Sequence, residues 1–180
     1  MSQSKLLDPN IEAYVIKTSD RDFAEIKNED HTTIGILETG KRTSFYLLEP
    51  NRSIVIKSRP SYLLGGDYML EDSDGKIIGL IKGKGFTGYS FDLKNKKGDI
   101  ILKGQERKKK EEKYYEITGK NQNLVASFSM TETGGKKQRW FHHWWDQYVL
   151  HIHDRSFDRR TLLGFFTFVH LTLLFPEYIP

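Results

Sequence analysis

The stretch TLLGFFTFVHLTLLF, Thr161 to Phe175, is the strongest constraint this chain places on its own folding. Asp158 precedes it as an N-cap and Pro176 follows it as a stop, so the spacing predicts one helix over 159–175. Such a helix would be about 25 Å long at 1.5 Å per residue. Only Gly164, Thr167, His170 and Thr172 interrupt its apolar surface. A helix that is hydrophobic nearly all round either crosses a membrane or is enclosed by protein. A crossing usually takes about 20 apolar residues. This run is shorter and holds a histidine, so the core reading is preferred. Arg159 and Arg160 would suit the flank of a tail anchor, and that alternative stays open.

What could enclose the helix is written in the rest of the chain, whose polarity brings the mean hydropathy to -0.58. The segment LVASFSM sets Leu124, Ala126, Phe128 and Met130 on one face, and YSFDL does the same for Tyr89, Phe91 and Leu93. QYVLHIH groups Tyr148, Leu150 and Ile152 and turns His151 and His153 the other way. Period-two alternation marks half-buried antiparallel strands. EAYVIK, DFAEIK, TTIGILE, SIVIK, DYMLE, KIIGLIK, DIILKG and YYEITG are further strand candidates. Turn signals separate several of them: Asp74-Gly75, Gly98, the residues after Gly119, and Gly134-Gly135. Roughly eleven short strands with hairpin punctuation predict a meander that closes into a barrel or sandwich. A large closed sheet needs a filled interior, and the apolar helix fills it. Residues 1–10 are expected to be flexible, and 11–180 to form a single domain.

The order of these elements resembles the tubby C-terminal-like superfamily, which includes the phospholipid scramblases and the LURP-one-related proteins. The similarity rests on YMLEDSDGKIIGLIKG, GYSFDLKNKKGDIILKG, YYEITGKNQNLVASFSM and WWDQYVLHIHDRSFDRRTLLGFFTFVHLTLL, in that order. It implies a mainly β fold, a closed antiparallel barrel of about twelve strands around one C-terminal helix. Activity transfers less well. The scramblases' calcium-binding segment corresponds here to HIHDRSFDRR, where only Asp154 and Asp158 are acidic. A high-affinity calcium loop needs six to eight oxygen ligands. The family's proline-rich N-terminal region and cysteine cluster have no counterpart in this cysteine-free chain. No basic motif matches the phosphoinositide-binding residues of tubby proteins position by position.

Chemistry has few footholds. The sequence holds no phosphate loop, nucleophile elbow, triad or paired acid-base carboxylates, so the reading is non-enzymatic and without a cofactor. His151 and His153 share a strand face and are the weak candidates for a metal, with Asp154 or His143 as a third ligand; the preferred reading is an exterior pair and no metal. His170 is read as a buried neutral histidine in need of a hydrogen-bond partner. A net charge of +4 favours anionic partners. The candidate lipid-binding residues are Lys136, Lys137, Arg139, Trp140 and Trp144, together with Lys108, Lys109 and Lys110. Cations attract anionic headgroups, and tryptophan rings sit at headgroup depth. Glu106, Glu111 and Glu112 dilute the lysine run.

The expected function is therefore binding of anionic phospholipid at membrane surfaces by a cytoplasmic protein, peripheral to the membrane. Nucleic acid is not the expected partner. The alternatives are a protein-interaction scaffold with no lipid activity and a tail-anchored scramblase, the latter requiring the helix to leave the barrel.

Overall fold

The computed structural model describes residues 4–20, 23–40, 44–61, 67–83, 90–109, 112–129 and 147–174. Twelve strands form one closed barrel. They are β1 (Ala13–Asp20), β2 (Phe23–Lys27), β3 (Thr33–Thr39), β4 (Phe45–Leu48), β5 (Ile54–Pro60), β6 (Tyr68–Asp72), β7 (Ile77–Gly83), β8 (Ser90–Lys94), β9 (Ile100–Lys109), β10 (Glu112–Gly119), β11 (Leu124–Ser129) and β12 (Gln147–Ile152). Each pairs antiparallel with its sequence neighbours. β12 closes on β1 through Tyr14 opposite Leu150 and Ile16 opposite Tyr148. Closure leaves no edge strand to be covered.

Helix α1 (Arg159–Leu174) runs through the interior. Leu162, Leu163, Phe165, Phe166 and Val169 have no exposed surface. No helix among the described residues is long and apolar enough to cross a membrane. Asp158 caps the helix as expected: its carboxylate accepts from the Thr161 amide at 3.0 Å and from the Thr161 hydroxyl. Gly164 lets the helix lie against the wall. A Cβ there would meet Ile56 Cγ2 on β5 at 2.9 Å and Leu70 Cδ1 on β6 at 3.2 Å.

The barrel has two ends, which we call the mouth, where α1 begins, and the floor, toward which it runs. Phe168 reaches the floor, where its ring lies 5.9 Å from Phe45, 4.8 Å from Tyr68 and 5.2 Å from Phe91. These three residues open, or nearly open, β4, β6 and β8. Phe166 packs instead on Phe128, 5.5 Å away, and on Tyr148.

Several expectations need correction. β4 was not anticipated: it is only four residues long, and its burial pattern does not alternate cleanly. In β11 the face changes at its start, because Ile117 pairs with Ala126 while Thr118 pairs with Leu124. The extra residue, Val125, is buried, and Leu124 is left 37% exposed. By contrast, β9 and β10 continue into KGQERKKKEEK as paired backbone, Lys109 opposite Glu112 and Lys108 opposite Lys113, in keeping with a hairpin. Residues 4–10 hold a 3-10 turn, Lys5–Leu7. Leu6 is fully buried there, and its carbonyl accepts from the Tyr14 hydroxyl at 2.9 Å. Leu6 closes the mouth from the side, in the space left by Gly35.

Candidate functional site

The residues singled out for lipid binding fall at the end of β9, between β9 and β10, and between β11 and β12. β9 runs from mouth to floor and ends at Lys109, and β10 returns from Glu112. β11 likewise ends at Ser129 and β12 begins at Gln147. Since β10 pairs with β11, Tyr114 opposite Ser129, the strand ends that bound the two connections are neighbours at the floor. Lys108 and Lys109 stand in the last two positions of β9. Lys110, Lys136, Lys137, Arg139, Trp140 and Trp144 lie outside the described residues.

Beneath the floor the interior is sealed by aromatic packing. On one side sit Phe45, Tyr68, Phe91 and Phe168. On the other, Phe128 and Tyr148 pack on Phe166, and Tyr115 stacks on Phe128. His170 completes this second group, its Nδ1 hydrogen-bonded with the Tyr148 hydroxyl. Desolvation by burial lowers the His170 pKa to about 3, and also raises that of Tyr148 well above its ordinary value. Both are therefore neutral across the physiological range. The expected partner for the histidine is thus identified, although Nε2 has no hydrogen-bond partner among the described residues. Among the described residues the interior is filled by side chains, as a closed barrel of this size requires.

His151 and His153 are both exposed, opposite the buried Tyr148, Leu150 and Ile152. His153 Nε2 is 2.8 Å from the Ser127 hydroxyl. Asp154, the suggested third ligand, is spoken for by Ser156 and by the Asn123 amide at 3.1 Å. The hydrogen bond from the Ser156 hydroxyl is the chief cause of its lowered pKa. Among the described residues no cluster of three such side chains could hold a metal ion. His143 lies outside them.

One functional candidate was not visible in the sequence. Arg159, read only as a flank of the apolar run, is 4% exposed. Its Nη2 donates to the carbonyls of Pro9 at 2.9 Å and Ile11 at 3.1 Å. Nothing in a pair of arginines before an apolar helix says that the first points inward to tie down the N-terminal segment and the second stays exposed.

No protein-family profile matches the chain, and no curated protein matches it. Among solved structures, it is similar to the X-ray structure of a protein from Arabidopsis thaliana, with a TM-score of 0.57. The match covers 93% of this chain and 98% of that one at 10% sequence identity. That likeness shows the fold.

Proposed function

We propose that this is a scramblase-like, LURP-one-related barrel without enzymatic activity that binds anionic phospholipid at membrane surfaces through its floor. The observation that carries this reading is the strand pairing. Two segments that are far apart in sequence, the Lys108–Lys110 run and the residues 136–144, are joined to adjacent strand ends at the same end of the barrel. Lys136, Lys137 and Arg139 would supply charge there, and Trp140 and Trp144 rings at headgroup depth. Each cation near an anionic surface contributes about 1 kcal/mol, so several acting together give a usable affinity that salt weakens. Scrambling by an inserted tail is disfavoured, because it would take α1 out of the barrel and strip the strands' buried apolar faces of the helix they pack around.

Co-sedimentation with phosphatidylcholine vesicles, with and without phosphatidylserine, at low and high salt tests the proposal. Binding should require the anionic lipid and fall with salt, and a K136Q/K137Q/R139Q variant should lose most of it. A chain that ignores anionic vesicles at low salt overturns lipid binding and leaves the interaction scaffold.

A further inference from the structure

The mouth holds a buried guanidinium whose N–H groups are only partly met, although Asp154 feels its charge from a distance. Arg159 is buried, yet among the described residues no carboxylate pairs with it. Two backbone carbonyls satisfy Nη2, while Nε and Nη1 have no acceptor among the described residues. A guanidinium shut away from water with three N–H bonds unmet is costly, and native structures normally supply a partner. The same residue lines a concavity of about 560 Å³ at the start of α1. Lys76, Arg155 and Arg160 line it as well, with Leu7 and Pro9 of the N-terminal segment on one side.

Two carboxylates share this cavity, but both are committed to their own turns. Asp158 caps α1 through Thr161. Asp72 accepts from the amides of Asp74 at 3.0 Å and Lys76 at 2.9 Å. Arg155 is paired with Glu12. Lys76 and Arg160 are exposed, and no ion pair holds either of them among the described residues. The positive end of a four-turn helix adds to their field.

We propose that this concavity is an oxyanion site that takes a single phosphate group, free or esterified. Lys76 and Arg160 attract the anion at the rim. Nε and Nη1 of Arg159 are closed off from solvent, so the phosphate reaches them by displacing Leu7 and Pro9, the part of the rim that belongs to the N-terminal segment. Phosphate suits the site better than a carboxylate, because its additional charge and oxygens match a guanidinium together with two further cations. The site lies at the end of the barrel opposite the proposed lipid surface and does not depend on that reading.

The test is thermal unfolding of the full chain in rising inorganic phosphate against chloride at equal ionic strength, for wild type, Arg159→Met and a K76Q/R160Q variant. Wild type should show a saturable rise in Tm. Arg159→Met removes the tie to Pro9 and Ile11, so its starting Tm falls, and its phosphate response should vanish. K76Q/R160Q touches only exposed side chains. It should keep the wild-type Tm without phosphate and bind about tenfold more weakly. Phosphate also stabilises proteins by general exclusion, but that effect is common to all three chains. Equal responses in all three, or none in wild type, overturn the proposal. A parallel arm uses vesicles containing phosphatidic acid. Retention that K76Q/R160Q loses identifies a lipid headgroup as the source, and a phosphate response without such retention identifies a free anion.

Discussion

The two ends of the barrel are built by different rules. At the mouth, five hairpin turns share one hydrogen-bond pattern, starting at Asn28, Glu49, Asp72, Asn95 and Gly119. In each, the first residue's amide donates to the carbonyl four positions on, and the fourth residue's amide donates back to the first carbonyl. The fourth residue is left-handed every time: His31, Arg52, Gly75, Gly98 and Gln122. Short side chains reinforce the turns, as where Asn95 accepts from the amides of Lys97 and Asp99. The floor is held differently. Its side chains meet across the interior, from Phe45 to Phe168 and from Tyr148 to His170, over long sequence separations. Backbone hydrogen bonds also close floor connections, Gly40 to Ser44 and Ser61 to Asp67, but among the described residues only the floor adds the aromatic contacts of the helix. Damage to the helix should therefore be felt far more than damage to any single turn.

The largest loss should follow Phe166→Ala, which removes a fully buried ring among Phe128, Tyr148 and His170. About 3–5 kcal/mol is expected in a urea melt, and a loss below 1 kcal/mol would break the contrast. Acid should act through the same end. His170 is neutral when folded, with a pKa near 3 against 6.5 when unfolded, so below pH 6.5 the unfolded chain binds the extra proton. Stability is then complete above pH 6.5 and falls as pH drops toward 3, by about 1.4 kcal/mol per pH unit for this one group. Chemical denaturation of wild type and His170→Leu across that window measures it, and the variant should have the shallower slope. Next comes Gly164→Leu, whose side chain would press on Ile56 and Leu70 and should cost about 1–3 kcal/mol. The turns should respond least. Gln122→Gly relieves a left-handed non-glycine residue with φ of 62° and should stabilise by up to about 1 kcal/mol, read as a small rise in Tm.

These rules also explain what could be read in advance. The enclosed helix was legible because apolar residues occupy nearly its whole circumference, and its cap because Asp158 stands at the right place. The faces of β12 and of Phe91 and Leu93 followed from simple alternation. β4 was hidden because four residues carry too little pattern. The turns at His31 and Arg52 lack the glycine that advertises Gly75 and Gly98, although they have the same backbone shape. Leu124 and Val125 exchanged roles through a bulge, which no periodicity announces. Of the candidate sites, only the charge and aromatic content of the segments could be read. That two of them share one end depends on strand pairing, and the burial of Arg159 depends on where the N-terminal segment crosses the mouth.

The central claim is that the chain's own C-terminal helix is the core of its barrel. The absence of cysteine makes a direct measurement possible. A single cysteine at Val169, fully buried on α1, can be compared with one at exposed Arg160 in their reaction with a thiol reagent under native conditions. The Arg160→Cys chain should label at once, and Val169→Cys only at the rate of global unfolding. Rapid native labelling at position 169, in a chain that still shows its β-sheet signature by circular dichroism, would contradict the claim.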